Sequence, residues 1–522
     1  MSFVDEIESI RKILLEEGGN LTQSLVSLLK VLEKEYDNLE THEQRHFCDM
    51  FDDLMNGYGI GLRLFLLTFL SSVTKECRYL QRAQEIVLND KNLLVENKYY
   101  LNQRFDRIAF LNQGMEEHDI IVNRWKILRD VVETYASVLE RNHHLDFHFI
   151  PGKDRRKGFV IVVIGQFLSA GHAPSAIALD RCRILQKRLN KSVLMINVAD
   201  VLTQVGAIPT WNDVSGNYIS QYSSGDYIDW NGSRIPFFQC DQSMPNPEVT
   251  NMLLTMIQNQ KPEYIIDIGN CGLFAGLAAK IVPVLTLYTG TSFSGSETQY
   301  KAFPRPLGEG DRQILREMEV AEDRFIPSLF TFSFSQEKGE PITREALGLS
   351  ESDHVVVVVG NRLDQELTPE LWQILCTTGD SALKVVLIGD YREDKVSGII
   401  TEYPEMKGRI LLCGFVSELR SYYRISDLYI NPVRRGGGTS AVMALSVGLP
   451  VLTLRSGDVY YNVGDDFAVD TLEEMSVMMR RYFADPAFRI GQSKKGIARA
   501  RRLQDSEWEF CKLIHTFENK IV

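Results

Sequence analysis

Asn431-Pro-Val-Arg-Arg-Gly-Gly-Gly-Thr-Ser-Ala-Val-Met-Ala-Leu-Ser-Val-Gly-Leu-Pro-Val451 is the most informative stretch of the chain. Leu428 to Ile430, just before it, reads as the end of a strand; three glycines follow, and a helix starts near Thr439. Glycines let a backbone approach a ligand closely, and the unpaired N–H groups at a helix start attract an anion. Thr439 and Ser440 add hydroxyl donors, while Arg434 and Arg435 add positive charge. Gly436, Gly437, Gly438, Thr439, Ser440 and Arg435 therefore make a chemically reasonable seat for a diphosphate. The plainer alternative is a tight strand-to-helix turn packed for shape alone.

Outward from this loop, short apolar runs recur. Phe159-Val-Ile-Val-Val-Ile164 is a continuous β-branched run, as expected of a strand buried on both faces of a parallel sheet. A helical stretch, Ala176 to Leu189, follows it, then strand-like Ser192 to Asn197, Tyr264 to Ile268 and Val282 to Tyr288. A second series opens at His354-Val-Val-Val-Val-Val359 and continues through Lys384 to Ile388, Arg409 to Leu412, Asp427 to Ile430 and Pro450 to Leu454. Strands alternating with helices mean βαβ units, and the restart near residue 350 predicts two doubly wound domains. Ligands then belong at the carboxyl ends of the strands, in the cleft between the domains.

The part ahead of these strands has a different texture. All 17 prolines lie at or after Pro151. Proline breaks helix interiors, so a proline-free stretch this long predicts an all-α domain. Leu21, Leu25, Leu28, Leu29, Leu32, Tyr36 and Leu39 recur at helical spacing, with Lys30, Glu33 and Lys34 between them. The expected organisation is an all-α domain over 1–150, an α/β Rossmann-like domain over 151–340 and a second one with a C-terminal helix over 341–522.

Composition narrows the function. The chain has 522 residues, with 57 Lys+Arg against 69 Asp+Glu and a formal charge of -12, which argues against a nucleic-acid binder. No segment reaches the ~18 apolar residues of a membrane span. The acidic, amphipathic start MSFVDEIESIRKILLEEGG is unlike a signal peptide. Eight cysteines show no CxxC spacing, so neither a zinc site nor a disulfide framework is expected, and the chain reads as cytoplasmic. The basic run Lys494, Lys495, Arg499, Arg501 and Arg502 is most simply a solvated helix face; peripheral membrane contact is its minority reading. Trp508, Phe510 and Leu513 after it should dock the last helix on the core.

Gly414-Phe-Val-Ser-Glu-Leu-Arg-Ser-Tyr-Tyr-Arg-Ile-Ser-Asp427, the glycine loop and Gly448-Leu-Pro-Val451 together resemble the donor-binding half of GT-B glycosyltransferases, over about residues 350 to 500. The resemblance implies the GT-B fold, twin Rossmann-like domains facing each other, with a nucleotide sugar on the C-terminal one. It also implies that Arg362, in Val359-Gly-Asn-Arg-Leu363, lies against the donor diphosphate. Many retaining members have one glutamate before the glycine loop and another in the helix; here those positions are Arg435 and Met443. Thr439-Ser440 instead resembles the paired hydroxyls of family 41, which holds O-linked N-acetylglucosamine transferases and bacterial protein N-glucosyltransferases that also carry a helical domain ahead of the Rossmann pair. That family's donor lysine has no match; the comparable loop reads Asp364-Gln-Glu-Leu-Thr368.

Gly165-Gln-Phe-Leu-Ser-Ala-Gly-His-Ala-Pro-Ser-Ala176 follows the first Rossmann strand, so His172 should project into the cleft. Inverting GT-B enzymes often carry their base in a similar Gly-His segment, and a neutral imidazole suits proton abstraction from a hydroxyl. A histidine that only lines the cleft is the alternative. Asp267 and Asn270, at another strand end, are acceptor-side candidates, although such an Asp more often caps a turn. Gly290 to Gly295 is a second polar glycine loop; an ordinary surface loop is its plainer reading and an acceptor-facing loop the alternative. The expected function is transfer of a hexose or N-acetylhexosamine from a UDP-sugar to a protein or glycan acceptor, with neither metal nor cofactor. A nucleotide-sugar epimerase and a catalytically degenerate GT-B partner or chaperone are the alternatives.

Overall fold

The structure is a computed structural model describing residues 3–521 except 113–114, 116, 170–171, 203–205, 214–215, 270–271, 335–340, 378–379 and 435. Its first part is helical throughout, from Phe3–Glu16 to the long helix His118–His143. Helix Ile60–Thr74 is apolar nearly all round and runs through the middle of this bundle, with Leu64, Phe65, Leu66, Leu67, Phe69 and Leu70 buried.

Two α/β units follow. The first sheet contains β1 (Arg156–Ile164), β2 (Ser192–Asn197), β3 (Tyr227–Trp230), β4 (Ser233–Gln239), β5 (Pro262–Ile268), β6 (Val284–Leu287), β7 (Tyr300–Phe303) and β8 (Phe325–Pro327). Their order is β3-β4-β2-β1-β5-β6-β7-β8, parallel except for the β3–β4 hairpin. That hairpin turns on Asn231-Gly232, both at positive φ, as a two-residue turn requires. The second sheet contains β9 (His354–Gly360), β10 (Leu383–Gly389), β11 (Ile410–Gly414), β12 (Leu428–Ile430), β13 (Val451–Leu454) and β14 (Ala468–Val469), all parallel, in the order β11-β10-β9-β12-β13-β14. This is the twin Rossmann-like architecture of the GT-B fold, preceded by an all-α region. In each sheet the chain reverses its direction of growth beside the first strand, between β1 and β5 and between β9 and β12. Those switch points open the crevices where α/β sheets bind ligands. The His172 segment follows β1, and the glycine loop follows β12.

Two features of the packing depart from the sequence expectation. The all-α region, expected as a domain of its own, shares a core with the first sheet: one continuous apolar core runs from Phe3 through Leu128 and Val132 into β1 and helix Gly272–Ala279. Glycines make the junction close. A Cβ on Gly276 would lie 2.8 Å from Val132, and one on Gly295 would collide with the Trp125 ring. The last helix, Ser506–Glu518, leaves the second unit and packs on the first sheet. Phe510, Leu513, Ile514 and Phe517 share a core with Val160, Tyr264 and Leu285. Tyr264 donates to Glu518 at 2.9 Å and Arg183 pairs with Glu507 at 2.7 Å, which sets the helix there. Trp508, expected to dock it, is 67% exposed.

The junction yields a stability test. Gly295→Ala places a methyl inside the van der Waals surface of Trp125, and overpacking of this kind costs about 1–3 kcal/mol. Urea unfolding should show the midpoint falling by a corresponding amount; an unchanged midpoint would mean that Trp125 does not pack there.

Candidate functional site

A cavity of about 430 Å³ opens between the two sheets. One wall is the glycine loop and the start of helix Gly438–Ser446, through Gly436, Gly437, Gly438 and Thr439. The facing wall belongs to the first unit: Ala173, Pro174 and Ile177 at a helix start, and the segment Tyr288 to Ser294 after β6. Phe330 to Ser333 cross beneath it, and Phe110, Ile121 and Arg124 close it from the helical region. The Gly290–Gly295 segment, read more plainly as a surface loop than as one facing the cleft, lines the cavity through Gly290 to Ser294, with Thr291 only 5% exposed.

The glycine loop folds as its sequence demands. Gly436 and Gly437 have φ of 84° and 80°, a region that costs residues with a side chain. A Cβ on Gly437 would lie 2.7 Å from the Arg434 guanidinium, and one on Gly438 would lie 2.6 Å from Asn462. The first-turn N–H groups of helix Gly438–Ser446 have no intrahelical acceptor, and the helix dipole adds positive potential there. The Thr439 side chain is exposed at this helix start and makes no hydrogen bond with the described residues. Ser440 is turned inward, bonded to the Gly437 carbonyl at 2.9 Å and to the Tyr429 hydroxyl at 3.0 Å.

Arg434 is not the free charge that the sequence suggests. It is buried under the loop, donating to Glu366 at 2.8 Å, to Asn431 at 3.0 Å and to the Tyr429 hydroxyl at 3.0 Å. Burying a guanidinium requires such a partner, so its charge is largely spent on structure. Arg362 pairs with the same Glu366 at 3.1 Å and lies over the Phe110 ring at 5.2 Å. It lines a neighbouring cavity rather than the one in front of the glycine loop. Arg435 and Asn270 lie outside the described residues.

His172 caps helix Ala173–Lys187, whose first residues line the cavity; the imidazole itself is turned along the helix, with Nδ1 3.0 Å from Ser175 Oγ. That leaves Nε2 as the ring nitrogen free for other work among the described residues. Burial holds the His172 pKa below the ordinary imidazole value, so the ring is neutral at pH 7. Asp267 does not face the cleft. It is fully buried and accepts from Thr286 at 2.8 Å. Its position next to the sheet interior, rather than past the strand end, is what removes it from acceptor binding. Burial, with a smaller contribution from the Asp267 charge and opposed by a 2.7 Å bond from Tyr99, pushes the neighbouring Asp200 up to about 6.

Asp458 was not anticipated. It sits one residue into helix Gly457–Val463, and its carboxylate bridges the two units: Gly436 N–H donates to one oxygen at 2.7 Å, and Thr291 donates N–H and Oγ–H to the other at 2.7 and 2.5 Å. Gly457 makes this approach feasible, since a Cβ there would lie 2.7 Å from the Arg434 carbonyl. The only sequence signal was a Gly-Asp pair shortly after a strand end, where ligand sites of α/β sheets gather.

Residues 353–483 match the family profile described as "Glycosyl transferases group 1", about a quarter of the chain and the part that holds β9 to β14. No curated protein matches the chain. Among solved structures, a glycosyltransferase from Rickettsia africae aligns at TM-score 0.49 and 11% identity, covering 70% of this chain and 99% of its own. A mutant of the Thermobaculum terrenum O-GlcNAc transferase aligns at TM-score 0.48 and 14% identity, covering 100% of this chain and 98% of its own. Anabaena HepE in complex with UDP aligns at TM-score 0.47 and 12% identity, covering 69% and 99%. At such values the fold assignment rests on this chain's own strand order.

The Asp458 carboxylate stands where an anionic ligand would take the Gly436 amide. Asp458→Asn removes the charge and keeps an acceptor oxygen for Thr291. Calorimetry should show UDP binding several-fold tighter than in the wild type; weaker or equal binding would make Asp458 a purely structural bridge.

Proposed function

We propose that the protein is a glycosyltransferase that moves a hexose or N-acetylhexosamine from a UDP-sugar to a protein or glycan acceptor. The observation that carries this reading is the helix start at Gly438–Ser440, behind a positive-φ glycine loop, opening on a cavity whose opposite wall begins next to His172. The match of residues 353–483 to a glycosyltransferase family profile supports it. The donor diphosphate would lie against the first-turn amides and the Thr439 hydroxyl, which stabilise charge developing on the leaving group. Because these donors belong to the chain, we propose that transfer is metal-independent. His172, neutral and with Nε2 available, would take the proton from the acceptor hydroxyl. Among the described residues no helix is long and apolar enough to cross a membrane, and we propose a cytoplasmic site of action.

A second reading has its own observation. With Asp458 on the Gly436 amide and Arg434 neutralised by Glu366, the loop resembles a closed seat, as a degenerate partner of another transferase would have.

UDP-release assays across common UDP-sugars, with and without candidate acceptors and with EDTA, separate these readings. Acceptor-dependent release that survives EDTA is expected. UDP binding without turnover would favour the partner, and acceptor-independent conversion of the sugar would favour an epimerase. His172→Ala should cut turnover about 10²–10⁴-fold with UDP affinity unchanged. Because the imidazole pKa is lowered, activity should persist to more acidic pH than free histidine allows and fall on an acid limb below ~6.5. Near-wild-type turnover in His172→Ala would remove it from the reaction.

A further inference from the structure

A second cavity, of about 590 Å³, lies where the helical region, the first α/β unit and the second meet. Four arginines line it: Arg104 and Arg107 from helix Val95–Leu111, and Arg362 and Arg434 from the second unit. Two carboxylates lie directly among them. Asp213 pairs with Arg104 at 2.8 Å, and Glu366 is shared by Arg434 at 2.8 Å and Arg362 at 3.1 Å. Each carboxylate is therefore already committed. Glu33, Asp37 and Lys75 line the cavity as well, which sets four arginines and a lysine against four carboxylates, an excess of one positive charge; Glu33 is engaged by Trp211 Nε1 and Asn212 Nδ2, both at 3.0 Å.

Arg107 is the one of these four arginines without an ion pair among the described residues. Its guanidinium makes no hydrogen bond or ion pair with any described residue. Partial burial, then the like charges of Arg104 and Arg362, push its pKa below the ordinary guanidinium value, with Asp213 opposing. Guanidinium groups gathered around a cavity in excess of their carboxylates form an arrangement that an anion would stabilise. The arginine fork matches phosphate oxygens, and Arg362 follows the end of β9 at the switch point of the donor sheet.

We infer that this cavity binds a diphosphate, held between the helical region and the second α/β unit, with Arg107 as the cation that completes it. The identity of the ligand rests on the donor reading above; the charge imbalance does not. The helical region then belongs to the binding machinery, supplying a positive group that neither Rossmann-like unit carries. The diphosphate has two sources, the nucleotide donor or a diphosphate-bearing acceptor.

Calorimetry on the full chain with UDP and with inorganic pyrophosphate tests this, using wild type, Arg107→Gln and Arg107→Lys. Pyrophosphate should bind the wild type, and Arg107→Gln should weaken it about tenfold or more, the worth of one charge-assisted contact, with Arg107→Lys restoring part. Binding should weaken with added salt, less steeply in Arg107→Gln. If pyrophosphate still binds beside saturating UDP, a diphosphate-bearing acceptor is the source; if UDP abolishes it, the donor diphosphate lies in this cavity and not on the glycine loop. Either result supports the site. Pyrophosphate binding Arg107→Gln as tightly as wild type, or failing to bind wild type at all, would overturn it. Arg107 makes no hydrogen bond or ion pair with a described residue, so the variant should melt with the wild type; a shared melting curve excludes unfolding as the cause. No turnover enters these measurements, so a protein that binds pyrophosphate through Arg107 but transfers no sugar would contradict the transferase reading alone.

Discussion

The Arg434–Glu366 ion pair is the constraint on which the rest of the second unit depends. It lies beneath the glycine loop, in space that side chains would otherwise fill. A Cβ on Gly360 would lie 2.6 Å from the Arg434 guanidinium and 2.8 Å from Glu366, and one on Gly437 would lie 2.7 Å from Arg434. Two glycines from opposite sides of the switch point thus make room for one buried charge pair. In return the pair ties the end of β12, through Asn431 and Tyr429, to the start of the segment after β9. Removing one partner of such a pair costs about 3–5 kcal/mol, because the other charge stays buried. The close approach of the backbone at Gly360 and Gly437 follows from this anchoring.

The same logic explains why the site needs all three parts of the chain. The first unit supplies the cavity's facing wall and the His172 segment, and Asp458 fastens it to the glycine loop through Thr291. The helical region closes the cavity from above and shares its core with the first sheet, so its position is fixed by apolar packing rather than by a linker. The last helix, returning from the second unit to the first sheet, adds another tie. The two units therefore meet through specific contacts, and a ligand entering the cleft must do so against the Asp458 bridge.

Much of the fold was legible because buried parallel strands write themselves as continuous apolar runs. Phe159–Ile164 and His354–Val359 are central strands for the reason that makes them readable: both faces are covered. The glycine loop was legible too, since three glycines between a strand and a helix mark a backbone that must turn through left-handed φ and stay open to a ligand. What a sequence hides is pairing over long distances. Arg434 reads as available charge until Glu366, 68 residues away, is seen beside it. Asp267 reads as a strand-end carboxylate until burial places it inside. The Gly290–Gly295 segment looks like a surface loop because its polarity serves Asp458 rather than water, and Gly295 leaves room for the Trp125 ring. Arg107, on a helix far from either Rossmann motif, carries no local mark of its position.

Everything proposed for the reaction turns on the helix start at Gly438–Ser440 seating a donor diphosphate. A crystal structure of the protein soaked with UDP probes that seat directly. Phosphate oxygens should lie within hydrogen-bond distance of the Thr439 and Ser440 amides and the Thr439 hydroxyl, with Asp458 moved off the Gly436 N–H. A diphosphate bound elsewhere, with Asp458 still on that amide and the helix start facing water, would contradict the assignment.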